Sequence, residues 1–407
     1  MQALQYSKSV PKFLAMRLLS KRVKGLETSA ASPLQLVEVP SPDPPTAEWV
    51  RVKPRLSGIC GSDLATLSAS SSPYFSPITS PPFVMGHEVV GEVAQDTREF
   101  RAGERVVIEP ALGCRARGIS PECEMCASGR YALCTNVTEG EISPGIQTGF
   151  CRDTGGGWSE LLLAHHSQLH RVPDTLSDAA AVLTEPLACA IHAALAHAPR
   201  YSNETAVVLG AGSIGLLVVA ALRRLTEFGR GGGRIVCVAK HPHQRETALR
   251  LGASEIVSPA EVYTTLPQRL GARTRQPELG KPVVLGGAER VFECIGASGT
   301  IEDAVRLTRP GGTVALVGMP GYSSRLDLTP LWHTEVSLAG TYAYGAEEYE
   351  GKKTTSFELA LRLAGELDLA PLTGPRFRLS QYREAIAAAL ATGRSGNMKV
   401  VFDLRQV

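Results

Sequence analysis

Apolar and polar positions follow two different patterns along this chain. In the first 188 residues, short segments such as 50–56, 89–93 and 103–108 alternate apolar with polar or basic positions, and turn residues separate them. These segments predict the half-exposed strands of an irregular β domain. Between residues 189 and 344, apolar runs of strand length alternate with longer helical runs. That alternation predicts an α/β domain built on a doubly wound parallel sheet.

The parallel sheet is predicted to have six strands, at residues 206–209, 234–239, 255–257, 290–294, 313–317 and 335–340. Residues 259–282 have no clear period, so no element is predicted there. From residue 345 the chain is predicted to return to the first domain, with a helix at 381–391 and a closing strand at 398–402. The predicted domains are therefore 1–188, 189–344 and 345–407.

A glycine-rich turn connects the first parallel strand to an apolar helix predicted from Ile214 to Leu225. Its G-x-G-x-x-G pattern suits a dinucleotide, because the first glycine permits a tight turn and the second lets a pyrophosphate approach the backbone. The third lets helix and strand pack closely. The pyrophosphate would lie on the unpaired N–H groups of the helix start. The predicted cofactor-binding residues at this turn are Gly210, Gly212, Ser213, Ile214 and Gly215.

Composition narrows the class of protein without selecting a function. The 407 residues are 43% hydrophobic and 20% charged, with a net charge of +2, which is ordinary for a globular protein and gives no reason to expect a nucleic-acid or membrane partner. Apolar runs are too short to cross a bilayer, and residues 1–24 lack the apolar core of a signal peptide. The sequence therefore predicts a cytoplasmic protein.

The cysteines favour metal binding over disulfides. Nine cysteines, an odd number, occur in a long chain without a predicted secretion signal. Four of them fall within 21 residues, namely Cys114, Cys123, Cys126 and Cys134. Four thiolates make a tetrahedral zinc site, and unligated exposed thiols would oxidise.

Five motifs in fixed order resemble the zinc-dependent medium-chain dehydrogenase family. They are Cys60-Gly-Ser-Asp63, Gly86-His-Glu88, the cysteine cluster, Glu185-Pro186 and the glycine turn. The resemblance extends from about residue 30 to the end of the chain. It implies a GroES-like irregular β domain, a Rossmann domain, and catalysis that needs zinc and NAD(P).

A catalytic zinc takes three protein ligands and leaves one position open. Cys60 offers a thiolate and His87 an imidazole, each in a glycine-flanked turn. The resemblance adds Glu185 as the third ligand and Glu88 as a direct or alternating ligand. Because Pro186 suits the first helical position, Glu185 is predicted at the N-cap.

Two further residues of the first motif have predicted roles. Asp63 would hold the other imidazole nitrogen of His87. Ser62 corresponds to the family's Ser or Thr that passes the alcohol proton outward, although serine in this position could equally be a turn former. The resemblance also puts an aromatic ring of the substrate pocket at Trp158, with ordinary core packing as the alternative.

The structural zinc motif departs from the family spacing. Relatives have their first cysteine three residues before the second, where this chain has Ser120. Cys114 takes that role here, with an apparent insertion at residues 115–119, because a longer loop can still close a four-thiolate site. Cys151 is the alternative fourth ligand.

The cofactor is predicted to be NADP, with NAD as the alternative. An NAD site needs an acid about 20 residues past the glycine motif, but Ala239 occupies that position and no acid occurs from residue 228 to 245. Lys240, His241 and Arg245 could instead bind a 2′-phosphate.

The predicted function is oxidation of a secondary alcohol or the reverse reduction. A polyol or sugar alcohol is the first choice of substrate, and an amino alcohol such as threonine is the second. The alternatives are a non-catalytic nucleotide-binding relative and a zinc-free quinone reductase. The resemblance further implies a homodimer or homotetramer.

Overall fold

The computed structural model describes residues 1–20, 22–23, 25–322 and 326–406. The chain divides into two compact units. Unit 1 comprises Met1–Glu185 and Tyr344–Val407, and unit 2 comprises Pro186–Ala343. No helix within the described ranges is long and apolar enough to cross a membrane.

The described strands, in chain order, are β1 (Gln2–Tyr6), β2 (Leu34–Glu38), β3 (Trp49–Gly58), β4 (Phe83–Val84), β5 (Val89–Val93), β6 (Arg105–Ile108), β7 (Leu162–His165), β8 (Leu169–Arg171), β9 (Thr205–Leu209), β10 (Arg234–Val238), β11 (Glu255–Val257), β12 (Arg273–Arg275), β13 (Val283–Leu285), β14 (Ala288–Glu293), β15 (Thr308–Leu316), β16 (Ser337–Gly340), β17 (Ala346–Tyr349), β18 (Lys352–Thr355), β19 (Thr373–Phe377) and β20 (Lys399–Asp403).

The described α-helices are α1 (Val10–Leu19), α2 (Gly61–Leu67), α3 (Glu124–Ala127), α4 (Asp178–Ala181), α5 (Thr184–His197), α6 (Ser213–Leu225), α7 (Glu227–Arg230), α8 (Pro242–Arg250), α9 (Leu266–Arg269), α10 (Ser298–Leu307), α11 (Thr329–His333), α12 (Ser356–Glu366), α13 (Tyr382–Leu390) and α14 (Thr392–Ser395).

Unit 1 is built on a seven-stranded sheet in the order β19-β20-β3-β5-β6-β8, with β7 paired to β3. Most of its pairs are antiparallel. The long strand β3 is central in this sheet, since it pairs with β20, β5 and β7. Its valines and its leucine are buried. Short strands separated by turns match the predicted irregular β domain, and the returning strand β20 completes it.

Unit 2 is built on a six-stranded sheet in the order β11-β10-β9-β14-β15-β16. All five pairings are parallel. The order places β9 and β14 side by side at the point where the winding reverses, and ligands of such sheets bind beyond the carboxyl ends of the strands there. The predicted Rossmann fold and its six strands are confirmed, with ends that differ by a few residues.

Several described elements have no counterpart in the predictions, among them helix α1 and the hairpin of β12 and β13. The N-terminal strand is followed by helix α1, four of whose apolar side chains are exposed. Residues 259–282, left without a predicted element, contain α9 and strand β12, which forms an antiparallel hairpin with β13 directly after this range. Both hairpin strands have three residues and largely exposed side chains, so they carry little hydrophobic period.

Candidate metal and dinucleotide sites

Two neighbouring strands bring three predicted metal ligands to one edge of the unit 1 sheet. Strand β3 ends two residues before Cys60, and β5 begins directly after His87 and Glu88. Because these strands pair antiparallel, with Ser57 opposite Val89, the residues beyond their ends meet. Ligand atoms of Cys60, His87 and Glu88 lie within 4.8 Å of one another.

Asp63 connects Cys60 to His87. Its carboxylate is fully buried; Oδ2 accepts the backbone N–H of Cys60 at 2.9 Å, and Oδ1 lies 3.4 Å from His87 Nδ1. Burial lowers the pKa of His87, but the charge of Asp63 more than offsets this effect, so the pKa is raised. With Nδ1 facing Asp63, Nε2 is the nitrogen available to a metal ion.

Ser62 lies beside the other side of the same imidazole ring. Its hydroxyl oxygen is 3.5 Å from His87 Nε2, and its side chain is partly exposed. It is therefore within reach of both the ligand set and solvent, as a residue that passes a proton must be.

Glu88 is a buried carboxylate paired with a residue that the sequence analysis did not identify. Lys399 Nζ donates to both carboxylate oxygens of Glu88, at 2.6 and 2.7 Å. Burial lowers the pKa of Lys399, but the nearby Glu88, Cys60 and Glu185 together raise it by more, so the net shift of the pKa is upward. The lysine stays charged and balances the negative charges around it. The signal in the sequence was a single lysine directly before three apolar residues, Val400 to Phe402.

Glu185 lies in the first turn of α5 and is 8% exposed. The helix begins at Thr184, one residue before the predicted N-cap, so the prediction of Glu185 as the N-cap was wrong. Pro186 is compatible with this position, because backbone N–H groups in the first turn of a helix have no intrahelical acceptor. The group of ligand atoms that lie within 4.8 Å of one another consists of Cys60, His87 and Glu88, and Glu185 is not part of it.

The donor set fits a zinc ion with an open coordination position. It combines a thiolate, an imidazole and carboxylates, the ligand types that zinc takes in proteins. Asp63 Oδ1 and His87 Nδ1 are both buried and lie only 3.4 Å apart, but neither atom forms a well-aligned hydrogen bond. A metal ion on Nε2 would fix the tautomer in which Nδ1 donates to Asp63.

Trp158 belongs to the core. Its side chain is fully buried, its Nε1 donates to the carbonyl of Gly58 at 3.2 Å, and its ring packs edge-on against Phe402. Of the two readings of this residue, the geometry supports core packing.

The four clustered cysteines converge in a lobe between β6 and β7, which we call the cysteine lobe (residues 109–161). Their ligand atoms lie within 4.8 Å of one another. Cys134 Sγ is 3.7 Å from Cys114 Sγ and 3.9 Å from Cys123 Sγ. Zn–S bonds of about 2.3 Å in a tetrahedron require sulfur atoms roughly 3.8 Å apart. The lobe therefore has the dimensions of a four-thiolate zinc site.

Backbone amides surround these sulfur atoms. The N–H groups of Cys123 and Asn136 donate to Cys114 Sγ and Cys134 Sγ, both at 3.3 Å. Burial raises the pKa of Cys123, but hydrogen bonds from Cys126 and Thr135 outweigh it and lower the pKa to about 6. Such donors stabilise thiolates.

Arg117 explains how the lobe accommodates its unusual spacing. The insertion at 115–119 contains a short 3₁₀ turn, and the side chain of Arg117 is completely buried. Its guanidinium donates to the carbonyls of Leu112 at 3.0 Å, Glu139 at 2.8 Å and Gly145 at 2.6 Å. Arg117 thereby holds several loop segments around its side chain. Because the loop is held in this way, Cys114 lies close to the other three cysteines.

Cys151 lies elsewhere in the lobe. It is fully buried, and its Sγ donates to the carbonyl of Ser143 at 3.3 Å. The cluster of four sulfur atoms contains Cys114, not Cys151.

The glycine turn of unit 2 has the geometry that a dinucleotide needs. Gly210 has φ +101°, which favours glycine, and a side chain on Gly215 would meet the carbonyl of Gly210 at 1.8 Å. Gly212 is exposed, with no atom within 4 Å of the position of a Cβ. The turn is thus open on the side of the helix start, at Ser213 and Ile214.

The end of β10 presents basic side chains. Ala239 is fully buried, and the next residue, Lys240, is exposed. Arg245 crosses the turn and donates to the carbonyls of Ala239 and Lys240, at 3.2 and 3.4 Å. The ring of His241 stacks on that of His243, with centroids 5.7 Å apart.

Glu293, at the end of β14, is a second residue that the sequence analysis missed. Its buried carboxylate accepts the N–H groups of Ile295 and Gly296, and the Thr300 hydroxyl at 2.7 Å. A side chain on Gly210 would meet Ile295 at 2.5 Å, so the loop that Glu293 holds lies directly against the glycine turn. The available signal was an acid that directly follows the apolar pair Val291 and Phe292.

A candidate metal site and a candidate dinucleotide site are the two sites that a metal-dependent dehydrogenase needs. Residues 46–174 match the alcohol dehydrogenase GroES-like domain, and residues 213–356 match the zinc-binding dehydrogenase domain. An L-threonine 3-dehydrogenase of Streptomyces avermitilis is 30% identical over 387 residues, 94% of this chain and 99% of that protein. The chain belongs to the zinc-dependent medium-chain dehydrogenase family.

A sorbitol dehydrogenase of Arabidopsis thaliana is 29% identical over 93% of each chain. The crystal structure of a 2R,3R-butanediol dehydrogenase from Bacillus subtilis shares the fold, with a TM-score of 0.69 at 22% identity over 99% of each chain. The predicted family, fold and enzyme class are confirmed. The protein is a zinc-dependent oxidoreductase that acts on a secondary alcohol with a nicotinamide cofactor.

Proposed function

We propose that Cys60, His87 and Glu185 hold the catalytic zinc ion, with Glu88 as a direct or alternating ligand. The structural zinc ion is held by Cys114, Cys123, Cys126 and Cys134. Glu185 is included because it resembles the third ligand of the family. The observation that carries this proposal is the convergence, in unit 1, of two groups of different chemistry, Cys60 with His87 and Glu88, and the four cysteines. One is mixed and includes a buried aspartate–histidine pair; the other is all thiol.

When bound, zinc supplies Lewis acidity that lowers the pKa of an alcohol, and the nicotinamide supplies the hydride acceptor. Ser62 accepts the proton of the alcohol and passes it to solvent. Asp63 fixes the orientation of His87 through Nδ1, and Lys399 compensates the charge of the buried carboxylates. These residues thus bind, orient and balance charge around one reacting hydroxyl group.

The substrate is a polyol or a sugar alcohol. The sorbitol dehydrogenase relative supports this choice. The resemblance of Glu185 and Glu88 to the polyol, sugar and threonine branch favours either candidate over a simple alcohol. An amino alcohol such as threonine is the second candidate, since the threonine dehydrogenase relative is aligned over nearly its whole length. A panel of polyols, aldoses and amino alcohols, assayed with both cofactors, separates them. Turnover of amino alcohols alone would contradict the polyol proposal.

The preferred cofactor is NADP. Support comes from the absence of any acid between residues 228 and 245 and from the exposed Lys240 beside Arg245. A 2′-phosphate there would meet donors, with His241 at the adjoining helix start, and no carboxylate of this segment. Ala239 is buried, so Arg245 and Lys240 are better targets for a test than that position.

Arg245→Gln tests this cofactor preference. A hydrogen bond to a charged group is worth about 1.5–3 kcal/mol, so kcat/KM for NADP should fall by roughly 10- to 100-fold. The value for NAD should change less than about threefold, because the ribose hydroxyls carry no charge. Glu246→Gln, on the same helix, serves as the control. A wild-type preference for NAD would contradict the proposal.

The protein is further proposed to act in the cytoplasm as a homodimer or homotetramer, without nucleic-acid or membrane partners. No disulfide is formed among the described cysteines, as a reducing compartment permits. Sedimentation velocity of the holoenzyme would measure the oligomeric state.

A further inference from the structure

A third group of metal-ligating side chains lies at the other end of β3, away from the sites described above. Glu48 immediately precedes β3, and His165 ends β7, its antiparallel neighbour. Trp49 lies opposite His165 in the ladder, and the N–H of His166 donates to the carbonyl of Glu48 at 2.9 Å. The pairing of the two strands therefore fixes the three side chains side by side.

The distances suit a chelated ion. Ligand atoms of Glu48, His165 and His166 lie within 4.8 Å of one another. His165 Nε2 is 3.3 Å from Glu48 Oε2, and the two imidazole rings are 4.4 Å apart. Zinc bonds of about 2.0–2.2 Å to nitrogen and oxygen in a tetrahedron place neighbouring ligand atoms roughly 3.4 Å apart.

Three further residues, Glu99, Ser167 and Arg171, lie around the two histidines. Glu99, on the loop between β5 and β6, brings Oε1 to 3.3 Å from His166 Nδ1. The backbone N–H of Ser167 donates to His165 Nδ1 at 3.3 Å, and the Ser167 hydroxyl lies 2.8 Å from the same nitrogen. Metal binding through Nε2 therefore requires Nδ1 to give up the backbone contact and carry the proton, which the hydroxyl can accept. Arg171, the nearby cation, pairs with Glu104 and donates to the backbone carbonyl of Glu99. Arg171 thus contacts the backbone of Glu99, and the carboxylate of Glu99 pairs with His166.

We propose that Glu48, His165 and His166 form a surface site for a divalent transition-metal ion of the zinc class. Two imidazoles and a carboxylate match the borderline ligand preference of such ions. The site connects the start of β3 to the end of β7. It is independent of the catalytic and structural donor sets, and of the proposed function.

Trp49 provides a built-in reporter. Its ring lies 5.7 Å from that of His165, and it is 4% exposed. Ni²⁺ quenches the fluorescence of a nearby indole. Untagged holoenzyme, dialysed to remove loosely bound metal, is titrated with Ni²⁺, while equilibrium dialysis counts bound nickel and released zinc.

The expected result is saturable quenching with one Ni²⁺ bound per chain and no zinc released. Loss of an outer-shell partner typically costs about 10- to 100-fold in affinity, so His166→Gln and Glu48→Gln, which remove ligands, should each raise the Kd at least tenfold. Asp43→Asn, an exposed carboxylate on the same segment, should leave the Kd unchanged. Trp49→Phe should reduce the quenching and keep the bound nickel.

Three results would overturn the proposal. One is equal nickel binding by the wild type and His166→Gln. Another is quenching that does not saturate. The third is zinc release equal to nickel uptake, which would mean exchange at the other sites. Because His166 and Glu48 are partly or largely exposed, these variants are expected to fold normally.

Discussion

The candidate catalytic and structural zinc sites of unit 1 are assembled in opposite ways. In the cysteine lobe, all four ligands come from one stretch of 21 residues, and backbone amides surround the sulfur atoms. At the end of β3, the candidate ligands come from a strand end, a turn and a helix start. Their counter-charge, Lys399, comes from the far end of the chain, 311 residues from Glu88.

This difference separates a structural site from a reactive one. Four thiolates fill a tetrahedron, so an ion in the cysteine lobe has no position left for a substrate. The mixed set offers fewer permanent ligands and contains a carboxylate, Glu88, that is already paired with Lys399. The lobe is therefore expected to affect stability, and the mixed set to affect activity.

The largest expected effect is on activity, through Cys60→Ser. The loss of a thiolate ligand removes several kcal/mol of transition-state stabilisation, so kcat/KM should fall by at least about a thousandfold. Circular dichroism should remain that of the wild type and Tm should stay within about 3 °C, because Cys60 is partly exposed at a turn. Unfolding of this variant would break the distinction between the two sites.

Cys126→Ser should act through stability. Structural zinc contributes folding free energy directly, so the variant should lose one zinc ion and several kcal/mol, with Tm lowered by about 10 °C or more. Differential scanning calorimetry and metal analysis measure both effects. Cys151→Ser is the matched control and should keep its zinc, since Cys151 lies outside the cluster. If the control lost the metal instead, Cys114 would not be the fourth ligand.

Lys399→Met tests the charge balance at the mixed set. Breaking a buried ion pair leaves an uncompensated charge, which typically costs about 3–5 kcal/mol in unfolding free energy. Adding Glu88→Gln should recover part of this loss, because the orphaned carboxylate is then neutral. Urea denaturation of the single and double variants measures the coupling. Additive effects would show that the two residues do not stabilise each other.

Arg117→Lys should have the smallest effect and sharpens the description of the cysteine lobe. Lysine keeps the charge but cannot donate to several separate carbonyls from one planar group. A loss of about 1–3 kcal/mol is expected, with zinc content unchanged. An unchanged Tm would mean that the insertion holds its shape without this side chain.

Sequence reasoning succeeded where the relevant residues are close together along the chain. The glycine turn precedes its helix directly, and the four cysteines share one excursion, so both patterns were readable. The six parallel strands were also readable, because buried strands such as β9 are continuous apolar runs.

The missed residues depend on contacts that no local pattern encodes. Lys399 and Arg117 are charged side chains, which are rarely buried, and only their tertiary partners account for their positions. For Glu293, the sequence predicted only a position in a strand, not its hydrogen bonds to the following loop. Hairpin β12–β13 and helix α1 have exposed side chains and hence weak periodicity.

The most direct test of the division between the two sites is zinc content per chain, measured on dialysed wild type, Cys60→Ser and Cys126→Ser, with activity measured on the same samples. The account predicts two zinc ions in the wild type. It predicts one ion in each variant, with Cys60→Ser inactive but stable and Cys126→Ser destabilised. One ion in the wild type, together with native cysteines 123, 126 and 134 open to alkylation, would contradict it.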